Sequence, residues 1–256
     1  MEVSPAIRHY SRLAGLTVFL PCHNEEANLG RVVDNFRWQL ERFACTWEIL
    51  VVDDGSRDRT GEIADKLAAS DARVRVVHHP VNRGYGGAVI SGLRAARLPW
   101  VLLCDGDGQF DACELARLVP MAASCDVVVG RRAERADRLM RRLNGKAWTS
   151  LVRLLFGIEI SDVDCGFKLF KREFIQDLKL NARGAMISTE LMVKLGARGA
   201  RICEVEVRHL PRVAGEQSGA NLKVITRAFV ELFRLYGELS AYRMGQSPQR
   251  FVRPDA

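Results

Sequence analysis

Short apolar runs that stop at turn residues alternate with longer segments of helical periodicity. A strand buried on both faces has this apolar pattern, and strands that alternate with helices form a parallel sheet covered on both sides. The pattern therefore predicts an α/β fold with a doubly wound, mostly parallel sheet flanked by helices. The predicted strands are Leu16–Leu20, Glu48–Val52, Val74–His78, Trp100–Cys104 and Asp126–Val129.

The same pattern gives the limits of one predicted domain. We expect this domain at residues 16–236, after an N-terminal extension at 1–15 and before a mobile tail at 243–256. Asn24 is the predicted N-cap of the first helix, because acidic residues follow it, as the helix dipole favours. The first helix should bury Leu29, Val32, Val33, Phe36, Leu40 and Phe43. Further helices are predicted at Thr60–Ala69, from the segment 82–89 to Ala96, at Glu114–Ala123 and at Ser188–Leu195.

The cysteines and the first residues bear on the cellular location of the protein. The seven cysteines are scattered and include no C-x-x-C pair, which argues against a disulfide framework or a zinc site and favours a reducing compartment. Residues 1–15 carry charges throughout and lack the apolar core of a signal peptide. No stretch approaches the ~20 apolar residues of a membrane span. A cytoplasmic location is expected, with peripheral attachment to the cytoplasmic face of a membrane as a further option.

Positive charge is concentrated between Arg131 and Arg153. This segment holds eight basic residues against two acidic ones, in a chain of formal net charge +7. Such a cluster suits phosphate groups or an anionic membrane surface, although a solvated helix face would also produce it. Nucleic acid is not expected as a partner, because Trp148 is the sole aromatic residue among these basic residues.

The apolar run Trp100–Cys104 stops at Asp105-Gly106-Asp107-Gly108-Gln109. Open α/β sheets bind ligands at the carboxyl ends of their strands, which makes this loop a candidate binding site. Two neighbouring carboxylates repel each other unless a cation lies between them, and Mg²⁺ or Mn²⁺ is held in this way together with substrate phosphates. Gln109 adds a neutral oxygen. The alternative is a solvated Asp-Gly turn.

Three other strand ends carry polar or glycine-rich segments. Residues 21–26 contain no glycine or lysine, and their two glutamates would repel a diphosphate, so this segment is expected to contact a base or a ribose. Asp54 is expected to accept a hydrogen bond from the same part of a ligand, unless turn formation alone explains its Asp-Asp-Gly context. The segment 82–89 has Val89 where a dinucleotide-binding motif needs glycine. Close backbone packing against a ligand or a strand explains its glycines better.

Four motifs thus occur in order. They are Leu-Pro-Cys-His-Asn-Glu-Glu at 20–26, Asp-Asp-Gly-Ser-x-Asp-x-Thr at 53–60, Asn-x-Gly-Tyr-Gly-Gly-Ala at 82–88 and Asp-Gly-Asp-Gly-Gln at 105–109. Together they resemble glycosyltransferase family 2, which implies a GT-A fold and an inverting transfer of a sugar from a nucleotide diphospho-sugar with Mg²⁺ or Mn²⁺. The resemblance implies that Asp105, Asp107 and Gln109 hold the metal, and that the nucleotide-sugar contacts are Pro21, Cys22, His23, Glu25, Asp54, Gly84, Asp105 and Gly106.

Later segments are similar to the dolichol-phosphate mannose synthase branch of that family. They are Gly130-Arg131-Arg132, the segment 162–168 and Arg212-x-x-Gly215. The candidate catalytic residues are Asp107, Arg132, Arg212 and Asp162. An acceptor phosphate would need cations beside it, and the candidates are Arg132, Arg142, Arg212 and Lys223. The chain departs from the family pattern at His23, where an aromatic residue is common, and it lacks the Ser-Lys pair that follows Arg-x-x-Gly in some members of the branch.

A polyprenyl phosphate acceptor also agrees with the chemistry of the second half. A lipid phosphate is already an oxyanion, so it needs cations beside it but no strong general base. We therefore expect transfer of a hexose, mannose or glucose, to polyprenyl phosphate. A hydroxyl acceptor would need a carboxylate base such as Asp162 or Asp164 and stays open as an alternative. A non-catalytic nucleotide-sugar-binding protein is a further alternative, disfavoured by the intact acidic loop.

Two features of the C-terminal region complete these expectations. Apolar residues fall on one helical face between Leu222 and Tyr236, with Lys223, Arg227 and Arg234 off that face. They predict a basic amphipathic helix at about 222–242, which packs on the core or lies in a membrane interface. Glu190, on the predicted helix Ser188–Leu195, is expected to be structural or to contact a sugar hydroxyl.

Overall fold

The computed structural model describes residues 12–133, 139–157, 159–212 and 230–238, without the side chains of residues 139–147. In these residues seven strands form one sheet, in the order β3-β2-β1-β4-β6-β5-β7, with β6 antiparallel to both neighbours. The predicted α/β fold with a mostly parallel sheet is confirmed. The strands are β1 Leu13–Cys22, β2 Ala44–Asp53, β3 Val74–His78, β4 Trp100–Cys104, β5 Val127–Arg132, β6 Phe167–Lys171 and β7 Ile202–Val207.

Helices cover both faces of this sheet. They are α1 Leu29–Phe43, α2 Thr60–Ser70, α3 Tyr85–Ala95, α4 Leu115–Leu118, α5 Leu139–Phe156, α6 Arg172–Ile175 and α7 Met186–Ala197. Short 3₁₀ segments, Ala112–Glu114 and Val119–Ala123, flank α4, and residues 230–238 form a further helix, α8. None of the helices in the described stretches is both long and apolar enough to cross a membrane.

Alternation along the strands divides the core into two layers. On β1, Leu16, Val18 and Leu20 face one layer, whereas Phe19 faces the other. The first layer is closed by the apolar face of α1, and the second is closed by α3, α5, α7 and α8. Packing on both sides fixes the strand ends, which carry the polar segments of interest.

Strands β3 and β4 have their predicted bounds, whereas β1 and β2 are longer than predicted. Their parallel pairing continues from Leu13 opposite Ala44 to Cys22 opposite Asp53. Pro21 therefore lies inside β1, whereas the predicted strand ended one residue before it, at Leu20. The strands continue beyond the apolar runs because backbone pairing does not require an apolar side chain at every position.

Asn24 is not the N-cap of α1, so this prediction is wrong. The helix begins at Leu29, and Asn28 occupies the N-cap position. Asn24 has a φ of 56°, and its side-chain oxygen accepts a hydrogen bond from the Arg57 amide at 2.8 Å. The backbone amide of Asn24 donates to Ser56 Oγ at 3.0 Å. Asn24 thus ties the loop after β1 to the loop after β2.

Several predicted segments lie outside the described residues. These are residues 1–11 of the N-terminal extension, the tail at 243–256 and most of the predicted helix at 222–242. Helix α8 is the part of that predicted helix that the structure describes.

Candidate active site

The loops after β1, β2 and β4 lie side by side at the carboxyl edge of the sheet. β1 pairs with β2 on one side and with β4 on the other, so the direction of chain order reverses between β1 and β4. Open α/β sheets bind ligands in the crevice that such a reversal creates. The loops also touch: Asp54 N donates to the Cys22 carbonyl at 2.8 Å, and a Cβ on Gly106 would lie 2.5 Å from Cys22 Sγ.

Asp105 and Asp107 follow β4 at this crevice. The Tyr85 hydroxyl donates a hydrogen bond to Asp105 Oδ1 at 2.9 Å, and the Gln109 amide donates to Asp107 Oδ1 at 3.1 Å. Burial and the negative charge of Asp107 raise the pKa of Asp105 to about 7. The two carboxylates therefore repel each other, and a cation between them would relieve that repulsion.

This pair of carboxylates fits a hard divalent cation, because Mg²⁺ and Mn²⁺ prefer oxygen ligands. Within the described residues there is no group of three or more His, Cys, Asp or Glu side chains able to hold a metal. Substrate phosphates and water would have to complete the coordination shell. The side chain of Gln109, the third predicted ligand, donates from Nε2 to the Leu210 carbonyl at 3.1 Å, which ties it to the segment after β7.

The segment 162–168 packs directly against the acidic loop. The Gly166 carbonyl accepts a hydrogen bond from the Asp105 amide at 3.1 Å. A Cβ on Gly166 would come within 1.9 Å of Asp105 Oδ2, so a side chain here would displace the carboxylate. Lys168 is fully buried, and its Nζ donates to the Cys165 carbonyl. Burial lowers the pKa of Lys168. The positive charge of Lys168 acts against burial at Asp105 by lowering the pKa of that carboxyl group.

Glu25 and Arg212 form an ion pair across the site. Glu25 is only 7% exposed, and Asn28 Nδ2 donates to its carboxylate at 2.7 Å. Burial raises the pKa of Glu25 despite these contacts. Arg212 Nη1 also lies 3.9 Å from Asp107 Oδ2. The repulsion that we expected between Glu25 and a diphosphate is therefore offset by an arginine from a distant part of the chain.

Asp54 lies buried beside the end of β1. Its Oδ1 accepts hydrogen bonds from the Arg83 amide at 2.8 Å and from His79 Nδ1 at 2.6 Å. His23 Nδ1 lies 3.0 Å from the Asp54 carbonyl oxygen, and the His23 residue is exposed. Pro21 and Cys22 are buried at the end of β1, and burial raises the pKa of the Cys22 thiol. The structure thus brings together the residues predicted to contact the nucleotide.

The glycines of the segment 82–88 allow another part of the chain to approach closely. A Cβ on Gly86 would lie 2.3 Å from the Ala182 carbonyl oxygen, and the Gly86 amide donates to the Arg183 carbonyl at 2.9 Å. Gly84 precedes α3 with a φ of 80° and lies against the same carbonyl of Arg183. The close backbone packing predicted for these glycines is present, but its partner is the segment before α7 and not a strand or a ligand.

Glu190 on α7 holds that segment in place. Its buried carboxylate accepts hydrogen bonds from the Asn181 amide at 2.9 Å and the Ala182 amide at 2.8 Å. Lys194 forms an ion pair with the same carboxylate. Of the two roles predicted for Glu190, these contacts favour the structural one.

Arg132 and Asp162 form a bidentate ion pair at the end of β5. Arg132 Nε lies 2.7 Å from Asp162 Oδ2, and Nη2 lies 2.7 Å from Oδ1. Asp162 therefore orients the guanidinium group, and this geometry argues against its use as a general base. Two further predicted acceptor contacts, the side chain of Arg142 and Lys223, lie outside the described residues.

A comparison with family models decides what the chain is related to. Residues 17–179 match the model described as "Glycosyl transferase family 2". The chain belongs to glycosyl transferase family 2. The matched region contains the three strand-end loops, the ion pair at the end of β5 and the segment that packs against Asp105.

Curated relatives of this family 2 chain include two transferases. The chain is 30% identical over 217 residues to undecaprenyl-phosphate 4-deoxy-4-formamido-L-arabinose transferase of Pectobacterium atrosepticum, a match that covers 83% of this chain and 65% of the relative. It is 33% identical over 210 residues to dolichyl-phosphate beta-glucosyltransferase ALG5C of Trichomonas vaginalis, covering 75% of this chain and 62% of the relative. The chain thus spans slightly less than two thirds of the length of these relatives.

Solved structures share the fold. Glucosyl-3-phosphoglycerate synthase from Mycobacterium tuberculosis, in complex with Mn²⁺, UDP and phosphoglyceric acid, superposes with a TM-score of 0.67 at 22% identity, covering 89% of this chain and 79% of that chain. Mannosyl-3-phosphoglycerate synthase from Rubrobacter xylanophilus gives a TM-score of 0.65 at 21% identity, covering 91% and 76%. The family 2 chain therefore has the GT-A fold that its motifs implied.

Tyr85, Lys168 and His79 contribute to the site, although no role was predicted for them. Tyr85 lies within the third motif, and its contact with Asp105 depends on how α3 packs. Lys168 interrupts the apolar residues of β6, and a charge inside a buried strand signals a buried partner. His79 follows the end of β3, which pairs with the Asp53 end of β2, so the register of two strands was needed to find it.

Proposed function

We propose that the protein transfers a hexose, mannose or glucose, from a nucleotide diphospho-sugar to polyprenyl phosphate, with inversion at the anomeric carbon. The observation that carries this proposal is the carboxylate pair, Asp105 and Asp107, with the charges of Arg132 and Arg212 close to it. Transfer between two phosphorylated substrates calls for both kinds of group, carboxylates for a metal and arginines for phosphates. The names of the undecaprenyl-phosphate and dolichyl-phosphate relatives support the choice of acceptor.

On the donor side, Asp105 and Asp107 would hold Mg²⁺ or Mn²⁺. Once bound, the cation supplies the positive charge that stabilises the leaving nucleoside diphosphate. Tyr85 and the Gly166 backbone keep Asp105 in place for this role. Asp54 would accept a hydrogen bond from the base or the ribose, and the exposed His23 would lie beside the base.

On the acceptor side, a phosphate is proposed because it attacks without a general base. A hydroxyl acceptor would need a carboxylate that takes its proton. Asp162, one of the two carboxylates named for that role, is engaged by Arg132 through both oxygens. With Asp162 orienting it, Arg132 presents a fixed guanidinium group, which suits bidentate contact with a phosphate.

We also propose that the protein reaches its lipid from a membrane surface on the cytoplasmic side. Leu154 on α5 is 82% exposed and Phe233 on α8 is 68% exposed. The two helices are in contact through the rings of Phe156 and Tyr236, whose centroids are 6.0 Å apart. Exposed apolar side chains on two packed helices, in a basic region of the chain, are typical of a surface that binds anionic lipid.

A donor and metal panel tests the transfer reaction. UDP- and GDP-linked glucose and mannose are each incubated with a short polyprenyl phosphate, with Mg²⁺, with Mn²⁺ or with EDTA. One donor should yield the polyprenyl-phosphate hexose of inverted configuration, and EDTA should abolish the product. Full turnover in EDTA would contradict the metal assignment, and donor binding without any transfer would favour a non-catalytic binding protein.

Liposome co-sedimentation tests the membrane surface. The wild type should bind anionic vesicles at low salt and dissociate at high salt, because electrostatic attraction is screened. Leu154→Asp with Phe233→Asp should reduce this binding. Trp38→Asp is the matched control, since Trp38 is 73% exposed on α1 at the opposite face of the sheet. Equal losses in both variants, or no vesicle binding by the wild type, would contradict the membrane proposal.

A further inference from the structure

Two consecutive aspartate–histidine pairs link the ends of β2 and β3. Asp53 lies opposite His78 in the parallel register, and their side chains meet with His78 Nδ1 3.0 Å from Asp53 Oδ2. The next residues repeat the arrangement, with His79 Nδ1 2.6 Å from Asp54 Oδ1. The pairs differ in exposure: the side chain of His78 is 44% exposed, whereas that of His79 is 2% exposed.

The buried pair extends to a third residue. His79 Nε2 lies 2.8 Å from Ser91 Oγ on α3. An ionised carboxylate can only accept hydrogen bonds, so Nδ1 of His79 carries the proton that points to Asp54. The Ser91 hydroxyl can donate or accept, so it fits either state of Nε2. Ser91, His79 and Asp54 therefore form one chain of hydrogen bonds from α3 to the end of β2.

Among the residues that the structure describes, this chain of hydrogen bonds leaves one Asp54 oxygen without a hydrogen bond from the protein. Both hydrogen bonds that the structure gives to the Asp54 carboxylate, from His79 and from the Arg83 amide at 2.8 Å, end on Oδ1. Within the described residues, the other oxygen, Oδ2, is left to accept from outside the protein. A carboxylate held by two donors loses little conformational entropy on binding, so its hydrogen bond to a ligand contributes more to affinity.

We propose that His79 is a positioning residue for donor recognition, which orients Asp54 Oδ2 toward the base or ribose of the nucleotide. The inference rests on the proposed function, in which Asp54 accepts a hydrogen bond from that part of the donor. His79 itself does not touch the nucleotide. Its effect should be confined to the nucleoside end of the donor and should leave the diphosphate and metal contacts of Asp105 and Asp107 unchanged.

Calorimetric binding of UDP, GDP and CDP without metal tests this role, with Mn²⁺-pyrophosphate as a probe that lacks base and ribose. His79→Ala should lower the affinity for the nucleotide that the wild type binds best by about tenfold. This is the effect of losing one hydrogen bond to a charged group, here the bond from the nucleotide to Asp54. His79→Asn, whose amide can donate from a position close to Nδ1, should recover most of the affinity. Pyrophosphate affinity should be the same in all variants.

His78→Ala is the matched control, because it removes a histidine of the same kind, paired with the neighbouring aspartate, one residue away. It should leave nucleotide affinity unchanged. If His79→Ala is too unstable for calorimetry, His79→Asn and His79→Gln carry the test. Asparagine places its amide near Nδ1 and glutamine near Nε2, so the asparagine variant should bind the nucleotide more tightly.

The possible failures are distinguishable. Nucleotide binding that survives Asp54→Ala would overturn the donor assignment and this proposal with it. Binding that is lost in Asp54→Ala but unchanged in His79→Ala would overturn this proposal alone. Equal losses in His78→Ala and His79→Ala, or a parallel loss of pyrophosphate binding, would show a general structural role and would also overturn it.

Discussion

The two halves of the molecule build their polar contacts in different ways. In the N-terminal half, residues 12–110, side chains join loops that follow neighbouring parallel strands, as Asp54 does with the Arg83 amide. In the described part of the C-terminal half, from β5 onward, charged side chains pair with each other, as Arg132 does with Asp162. The first half is therefore a frame of directed hydrogen bonds, and the second supplies cations oriented by buried carboxylates.

Under the proposed function, the N-terminal half would recognise the donor and the C-terminal half would bind the acceptor. A nucleotide has many polar atoms at fixed distances, which a frame of directed hydrogen bonds can recognise. A lipid phosphate offers only a charged group, which oriented arginines can bind. The halves meet where Gly166 packs against Asp105 and where Arg212 pairs with Glu25. Four substitutions test the roles of the two halves and the contacts between them, from the largest expected effect to the smallest.

Asp107→Asn should reduce transfer about a thousandfold, because it removes a charged ligand of the proposed metal. The side chain is partly exposed and its hydrogen bond from the Gln109 amide can persist, so the melting temperature should change little. Product formation and thermal melting check the two statements. Asp34→Asn is the control, since Asp34 is an exposed aspartate on α1, and undiminished transfer in Asp107→Asn would contradict the metal assignment.

Glu190→Ala should destabilise the protein by about 3 kcal/mol, because it leaves Lys194 and two backbone amides without their buried partner. The segment before α7 would lose its anchor, and with it the packing against Gly86 in the N-terminal half. Urea denaturation measures the free energy of unfolding. Glu173→Ala, at an exposed glutamate on α6, is the control and should change that free energy by less than about 0.5 kcal/mol. If the two variants are equally stable, Glu190 does not anchor the segment that packs against Gly86, and this prediction is wrong.

Gly166→Ala should weaken Mn²⁺ binding about tenfold, because the added methyl group would displace the Asp105 carboxylate. Gly30→Ala is the matched control, since a Cβ on Gly30 meets no atom within 4 Å. That control should be neutral or slightly stabilising, as alanine favours a helix. Mn²⁺ titration by calorimetry, with UDP or GDP present to complete the coordination shell, gives both affinities. Unchanged binding in Gly166→Ala would show that the contact between the halves does not position Asp105.

His78→Gln should have the smallest effect, and one that depends on pH. Partial burial alone would lower the pKa of His78, but hydrogen bonds with Asp53 and Asp65 outweigh it and raise the pKa. Since the folded-state pKa is raised, the stabilisation is complete below the unfolded-state pKa of about 6.5 and is lost as the pH rises through the folded-state value. The variant should therefore lose more stability at about pH 5 than at about pH 8, and equal losses would contradict the ion pairs.

The N-terminal half was more predictable from the sequence than the C-terminal half. In the N-terminal half each motif follows an apolar strand, so the position of Asp54, Asp105 and Asp107 at one sheet edge followed from the strand pattern. The strand order itself was not needed, because all parallel strands end at the same edge. The error at Asn24 arose because its side chain bonds to another loop, a contact between residues far apart in sequence that local capping rules do not include.

In the C-terminal half the decisive contacts depend on tertiary structure. β6 runs antiparallel and carries Lys168 inside an apolar strand, so the strand was not predicted. The pairing of Arg132 with Asp162 joins two motifs that were predicted separately. The partnership of Arg212 with Glu25 spans most of the chain, and no local pattern indicates it.

The central claim is that a phosphate on the acceptor is the attacking group. It is tested most directly by comparing polyprenyl phosphate with the corresponding polyprenol, the same lipid without phosphate, under the donor and metal conditions that support turnover. The account predicts transfer to polyprenyl phosphate alone. Transfer to the polyprenol, or to a soluble sugar hydroxyl, at an equal or higher rate would contradict it and would require a general base among the carboxylates of the acceptor half.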